Sequence, residues 1–149
     1  HASPNHPKSR GSITLSSSNP YDYPKILFNY LEDEDDLKQT RECIHVARKI
    51  LSQPALLEHA GKEVGPGSEA QSDEELNEYI RSKADTAYHP CGTCKMGVDD
   101  MAVVDENLRV KGIKNLRVID ASVIPEIPSA NLNAPVLMIA EKGSELVLS

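Results

Sequence analysis

Apolar side chains recur at helical spacing after the acidic run "EDEDD" (residues 32–36): Leu37, Ile44, Ala47 and Leu51 form one stripe, which Val46 and Ile50 widen. Carboxylates at the start of this stretch and Arg48 and Lys49 near its end both suit a helix dipole, so the acidic run reads as a solvated helix start rather than a docking face. Pro54 should stop the helix by Gln53. Further on, Ser72 and Glu75 form an S-x-x-E capping box ahead of Leu76, Tyr79 and Ile80, which predicts a second helix over about 73–84. The stretch "NLNAPVLMIAEKGSELVL" (131–148) predicts a last helix, with Asn133 as N-cap and Pro135 in the first turn. Its first half is apolar all round and calls for burial from several directions.

The remaining runs are short and β-prone. "SRGSITL" (9–15) places Ile13 and Leu15 in alternation, a half-buried strand near an edge, before the turn-rich "SSSNPYDYP". "MAVVD", "NLRV" and "NLRVID", separated by Asn, Gly and Lys, suggest two or three more small strands. The order strand, helix, helix, small strands, helix is α+β in kind. The length of 149 residues, with no internal repeat and no long linker, suits one domain.

Charge and composition narrow the function. The net charge is -7 and the basic residues stand singly along the chain, which argues against nucleic acid as a partner. The longest apolar run, 136–140, is far below the ~20 residues of a membrane-spanning helix. Three cysteines, Cys43, Cys91 and Cys94, are too few and too unevenly placed for a secreted disulfide framework and lean towards a reducing compartment. The chain opens on His1 with no basic-then-apolar leader, so it reads as an internal piece of a longer polypeptide.

The densest candidate chemistry lies in "AYHPCGTCKMG" (87–97). His89, Cys91 and Cys94 supply at most three metal ligands where a structural zinc site needs about four, and no second Cys or His pair follows. A thioredoxin-like dithiol would open a helix, but "KMGVDD" is not helical. Small thiols packing a tight loop account for the cysteines more simply. His89 differs, because Pro90 holds it off the helical region and projects its ring from a stiffened segment. It can be a base or a structural histidine; His1, His6, His45 and His59 read as structural or surface residues. No G-x-G-x-x-G dinucleotide fingerprint occurs, and "GPG" (65–67) is a turn.

Taken in order, "SRGSITLSSSNPYDYPKILFNYL", "AYHPCGTCKMG" and "MAVVDENLRVKGIKNLRVIDASVIPEIPSANLNAPVLMIAEKGSEL" resemble the C-terminal part of the glucose-methanol-choline oxidoreductases, FAD-dependent enzymes that oxidise alcohols. The likeness runs through nearly the whole chain and is strongest to the bacterial choline-oxidising branch. It implies that residues 1–149 are the substrate-side C-terminal domain, a small antiparallel sheet packed with helices. The last strand and helix would belong to the FAD-domain side, and the FAD-holding part would lie upstream. The chain by itself is then expected to hold no flavin and to turn over no alcohol.

The resemblance also implies roles. His89 matches the family's catalytic base, and Asn131 its partner, a position that is histidine in other branches. Asp120, Ala121, Asn131, Leu132, Asn133 and Pro135 match segments beside the flavin, and Tyr88 resembles a wall of the trimethylammonium pocket. These types suit the task. An alcohol that has lost its proton is the better hydride donor, and an imidazole ordinarily titrates near neutrality. A carboxamide can stabilise the developing alkoxide without acting as a second base. An aromatic face attracts a quaternary ammonium. By its overall likeness and by Asn131 the resemblance implies choline as the substrate, with another alcohol of the family's range as the alternative. It implies the cytoplasmic side of a bacterial inner membrane, with peripheral attachment, as the location, although no basic amphipathic helix is present to explain attachment.

Overall fold

The computed structural model describes residues 2–148; His1 lies outside the described residues. The chain divides into two compact units between Asp85 and Thr86. In the first unit, β1 (Ser12–Thr14) pairs antiparallel with β2 (Lys25–Leu27), with Ile13 opposite Ile26. Strand β2 lies directly after the stretch read as turns and was not anticipated. Its "KIL" is too short to show an alternation. Both strands are exposed, Ile13 at 50%, so the expected half-burial of β1 does not occur among the described residues. Gly11 makes the hairpin's closest approach: a Cβ there would lie 2.2 Å from the carbonyl oxygen of Leu27.

Helix α1 (Glu34–Leu51) begins where the Asp33 carboxylate accepts the Asp35 N–H at 2.9 Å. It ends ahead of Pro54, which opens the single turn α2 (Pro54–Leu57). Of the predicted stripe only Leu37 is buried, and Val46, Ile50 and Leu51 are each more than half exposed. Helix α3 (Asp73–Lys83) carries the complete capping box: Ser72 Oγ accepts the Glu75 N–H at 3.2 Å and Glu75 Oε2 accepts the Ser72 N–H at 2.9 Å. Leu76 and Ile80 bury its inner face. Arg41 joins α1 to α3 through Asn77 and Asp73. Arg48 fastens the intervening loop, donating to Glu63 and to the carbonyls of Gly67 and Ala70. His6, His45 and His59 lie on the surface.

A buried carboxylate ties the chain ahead of β1 to α1. Asp36, 2% exposed, accepts the backbone N–H groups of Lys8 at 2.7 Å and Ser9 at 2.8 Å. Alongside it Lys8 pairs with Asp35, and Ser9 Oγ accepts the Asp33 N–H at 3.0 Å. Burial pushes the Asp36 carboxyl up, but the Ser9 hydroxyl and the two backbone donors outweigh it and hold the group below the ordinary carboxylate value.

The second unit is built on loops around one core, with Val104, Leu108, Val123, Ile124, Leu132 and Ile139 at its centre. The expected small strands reduce to isolated bridges, Met96 with Val104, Val104 with Val110, and Arg109 with Arg117. Left-handed backbone at Leu108, Gly112 and Asn115 turns the chain before any ladder can lengthen. Helix α4 (Asn133–Leu148) closes the unit. Asn133 is its first helical residue rather than its cap: the first intrahelical bond runs from Val136 N–H to Leu132 O at 2.9 Å, so Leu132 holds the cap position, its side chain buried in the core. Gly143 lets α4 close on Ile119, whose Cγ2 would stand 2.4 Å from a Cβ.

Two measurements check this account. Gly11→Ala sets a methyl against fixed backbone and should lower stability by about 1–3 kcal/mol in urea unfolding. Asp36→Asn should cost a similar amount near neutral pH, about 1–3 kcal/mol, because it removes a charged acceptor from buried donors. A carboxylate whose folded pKa is depressed contributes fully above its unfolded value and loses that contribution as pH falls through the folded one. Wild-type stability should therefore decline below about pH 4, and the Asp36→Asn variant should show a flatter acid limb.

Candidate active site

The loop that carries His89 is sewn into the second unit by its backbone. Cys94 N–H donates to Ser122 O at 2.9 Å, and Met96 N–H to Val123 O at 2.8 Å. On its other side Gly97 N–H donates to Val104 O at 3.2 Å, and Lys95 O accepts the Val103 N–H at 2.9 Å. Val104 and Val123, both fully buried, lie at the centre of this arrangement. Gly92 permits the approach: its φ is +87°, and a Cβ would stand 3.3 Å from Ile124 O. The glycine between the two cysteines was the sequence signal for this contact, but its partner strand of backbone could not be read there.

Tyr88 has a left-handed backbone, φ 59°, held where its N–H reaches Thr86 Oγ1 at 3.0 Å. Such a conformation is costly for a bulky residue and is concentrated at functional sites. The residue is 77% exposed, while His89 is half-buried. Cys91 packs on the edge of the core and Cys94 is half-buried; no disulfide joins the cysteines among the described residues. Also among the described residues, no three His, Cys, Asp or Glu side chains stand together as metal ligands.

The segment facing this loop begins at Asp120, whose Oδ1 accepts the Ser122 N–H at 2.8 Å and the Ser122 hydroxyl at 2.5 Å, capping the 3-10 turn Ala121–Val123. Asp120 is exposed and Ala121 half-buried against the core. The chain then passes Pro125 and Pro128 to Asn131, which is exposed next to buried Leu132. Asn133 is exposed and Pro135 half-buried. His89 and Asn131 therefore flank residues, Cys91 and Leu132, that pack into the same core. Neither side chain is committed to a hydrogen bond among the described residues, which leaves both free for a ligand.

The start of α4 fits an anionic ring system. Residues 127–140 carry no charged side chain. Asn131, Asn133 and Ala134 are exposed, so the free N–H groups and partial positive charge of a 16-residue helix open onto neutral donors. Leu137 and Met138, 64% and 62% exposed, add apolar surface on the following turn.

The chain is a member of a flavoprotein family: residues 7–140 match the GMC oxidoreductase family model, and the chain belongs to that family. It is 50% identical over 150 residues to the oxygen-dependent choline dehydrogenase of Vibrio vulnificus, an alignment covering 99% of this chain and 27% of that protein. Pyridoxine 4-oxidase from Mesorbium loti superposes with a TM-score of 0.88 at 38% identity, over 95% of this chain and 28% of its own. An FAD-dependent oxidoreductase from Chaetomium thermophilum gives 0.89 at 29% identity, over 95% of this chain and 25% of its own. The chain thus spans about a quarter of the length of the curated relatives it matches. These likenesses support the α+β reading.

Replacing Gly92 tests the loop. Gly92→Ala forces an L side chain into left-handed backbone at about 1–2 kcal/mol and crowds Ile124 O. Hydrogen exchange should quicken at the amides of Cys94 and Met96, while the α3 amides in the first unit keep their protection.

Proposed function

We propose that this chain is the substrate-side part of an FAD-dependent dehydrogenase that oxidises choline to betaine aldehyde. The observation that carries the proposal is the 50% identity to a choline dehydrogenase along nearly the whole chain. It is supported by a histidine and a carboxamide flanking one core with no internal hydrogen bond to satisfy them. When bound, FAD supplies the hydride acceptor. Asp120, Ala121, Asn131, Leu132, Asn133 and Pro135 are the residues of this chain assigned to its surroundings, the last four at the neutral start of α4.

His89 takes the hydroxyl proton on one ring nitrogen, and Asn131 donates its amide N–H to the oxygen on which negative charge develops. Because a carboxamide does not compete for the proton, the two residues divide the work. Tyr88 offers an exposed ring face to the quaternary ammonium. The reading places the enzyme on the cytoplasmic side of a bacterial inner membrane, attached peripherally; among the described residues no helix is long and apolar enough to cross a membrane.

The test uses the full-length enzyme loaded with FAD. His89→Ala should lower kcat for choline by about 10²–10⁴-fold at unchanged flavin content. Asn131→Ala should lower it by about 10²–10³-fold. Near wild-type turnover in His89→Ala would remove the assigned base. Tyr88→Leu should raise the choline KM about 2–30-fold, the equivalent of one cation–π contact, and leave that of a neutral isostere unchanged.

A further inference from the structure

Four cations that stand singly in the sequence, Arg109, Lys111, Lys114 and Arg117, are gathered by the fold onto one surface of the second unit. Arg109 and Arg117 face each other across an antiparallel bridge. Like charges directly opposite on neighbouring strands repel, so the arrangement is unfavourable unless something neutralises it. Among the described residues none of the four forms an ion pair; the carboxylate of Asp105 lies near enough to Arg109 and Arg117 for their charges to help hold it below the ordinary carboxylate value, but no acidic group pairs with them directly. Arg117 donates to the carbonyls of Asn107 and Leu146, and Lys111 Nζ to the carbonyl of Asp99 at 3.0 Å. Carbonyl partners orient a cation without cancelling its charge. Asp105, which lines the same surface, has Oδ1 occupied by the N–H groups of Asn107 and Arg109, both at 2.9 Å.

Two hollows share Arg109 and Asn115 here. One, of about 390 Å³, is completed by Arg117 and Val147. The other, of about 480 Å³, is lined in addition by Lys111, Gly112 and Lys114. Each exceeds a single inorganic anion, and the shared arginine joins them. An arginine fork and flexible lysines are the donors that a tetrahedral, multiply charged group takes. In a chain of net charge -7 this is a local excess of positive charge, four cations around the single carboxylate of Asp105 in the lining.

We propose that this surface binds a phosphate-bearing anion of about diphosphate size, with Arg109 shared between its charged groups and Lys111, Lys114 and Arg117 around it.

The experiment uses the full-length FAD-loaded enzyme, with pyrophosphate and, separately, phosphatidylglycerol vesicles as probes. Saturable pyrophosphate binding at low salt is expected, weakened about tenfold or more by Arg109→Ala and by Lys114→Ala and declining as salt is added. Neither side chain donates a hydrogen bond among the described residues, so both variants should melt like the wild type. Vesicle binding that pyrophosphate displaces, and that both variants lose, would support the same phosphate chemistry and assign its source to a lipid headgroup. Absence of binding to either probe, or binding unchanged in both variants, would overturn the proposal. So would chloride competing as strongly as pyrophosphate, which would mark general charge screening.

Discussion

Two backbone hydrogen bonds, from Cys94 to Ser122 and from Met96 to Val123, are the constraint on which the second unit depends. A loop with no regular secondary structure has no ladder of its own, so its amides must find partners elsewhere or remain unsatisfied. Here they find the carbonyls of the 3-10 turn that Asp120 caps. That exchange encloses Val104 and Val123 and gives the segment after His89 a fixed foundation. The loop that follows the candidate base is thereby anchored by main chain, and the His89 side chain makes no hydrogen bond among the described residues.

The same economy shapes the other side of the site. Leu132 turns its side chain into the core while its carbonyl begins α4, so the residues on either side of it, Asn131 and Asn133, face outward. Burying one apolar residue at a helix start thus presents two carboxamides together with the free N–H groups of that helix. The helix itself remains partly uncovered, with Leu137 and Met138 exposed. The high apolar content of its first half is therefore matched only in part by burial within the unit.

Charge is treated differently at two carboxylates that each accept a pair of backbone amides. Asp36 is taken out of solvent and satisfied by backbone donors, which fastens the chain ahead of β1. Asp105 stays in its loop, accepting two amides, and leaves the cations beside it without an ion pair among the described residues. Both carboxyls are depressed against the opposing effect of burial: at Asp105 the Arg109 N–H leads, helped by the Asn107 N–H and the charges of Arg109 and Arg117, while at Asp36 burial is the largest influence and the Ser9 hydroxyl and two backbone donors outweigh it.

Local signals sufficed for much of the chain. The capping box of Ser72 and Glu75, the stop before Pro54, the extent of the last helix and the residues of "AYHPCGTCKMG" were legible because each depends on neighbours within a few positions. Strand β2, the reduction of the two or three expected strands to single bridges, and the left-handed backbone of Tyr88 were not, since each follows from contacts or turns that no short window contains. The cap of α4 moved from Asn133 to Leu132 because core burial outweighed the local preference for a polar cap. Basic residues that look dispersed along the chain came together only when the bridge between Arg109 and Arg117 folded the segment back on itself. The amino-acid sequence by itself determined the helices, the chemistry available and the family, all of which rest on residue type and short spacing. The tertiary structure alone decided which loop amides meet which carbonyls and which like charges must share a surface, because those depend on pairings between distant parts of the chain.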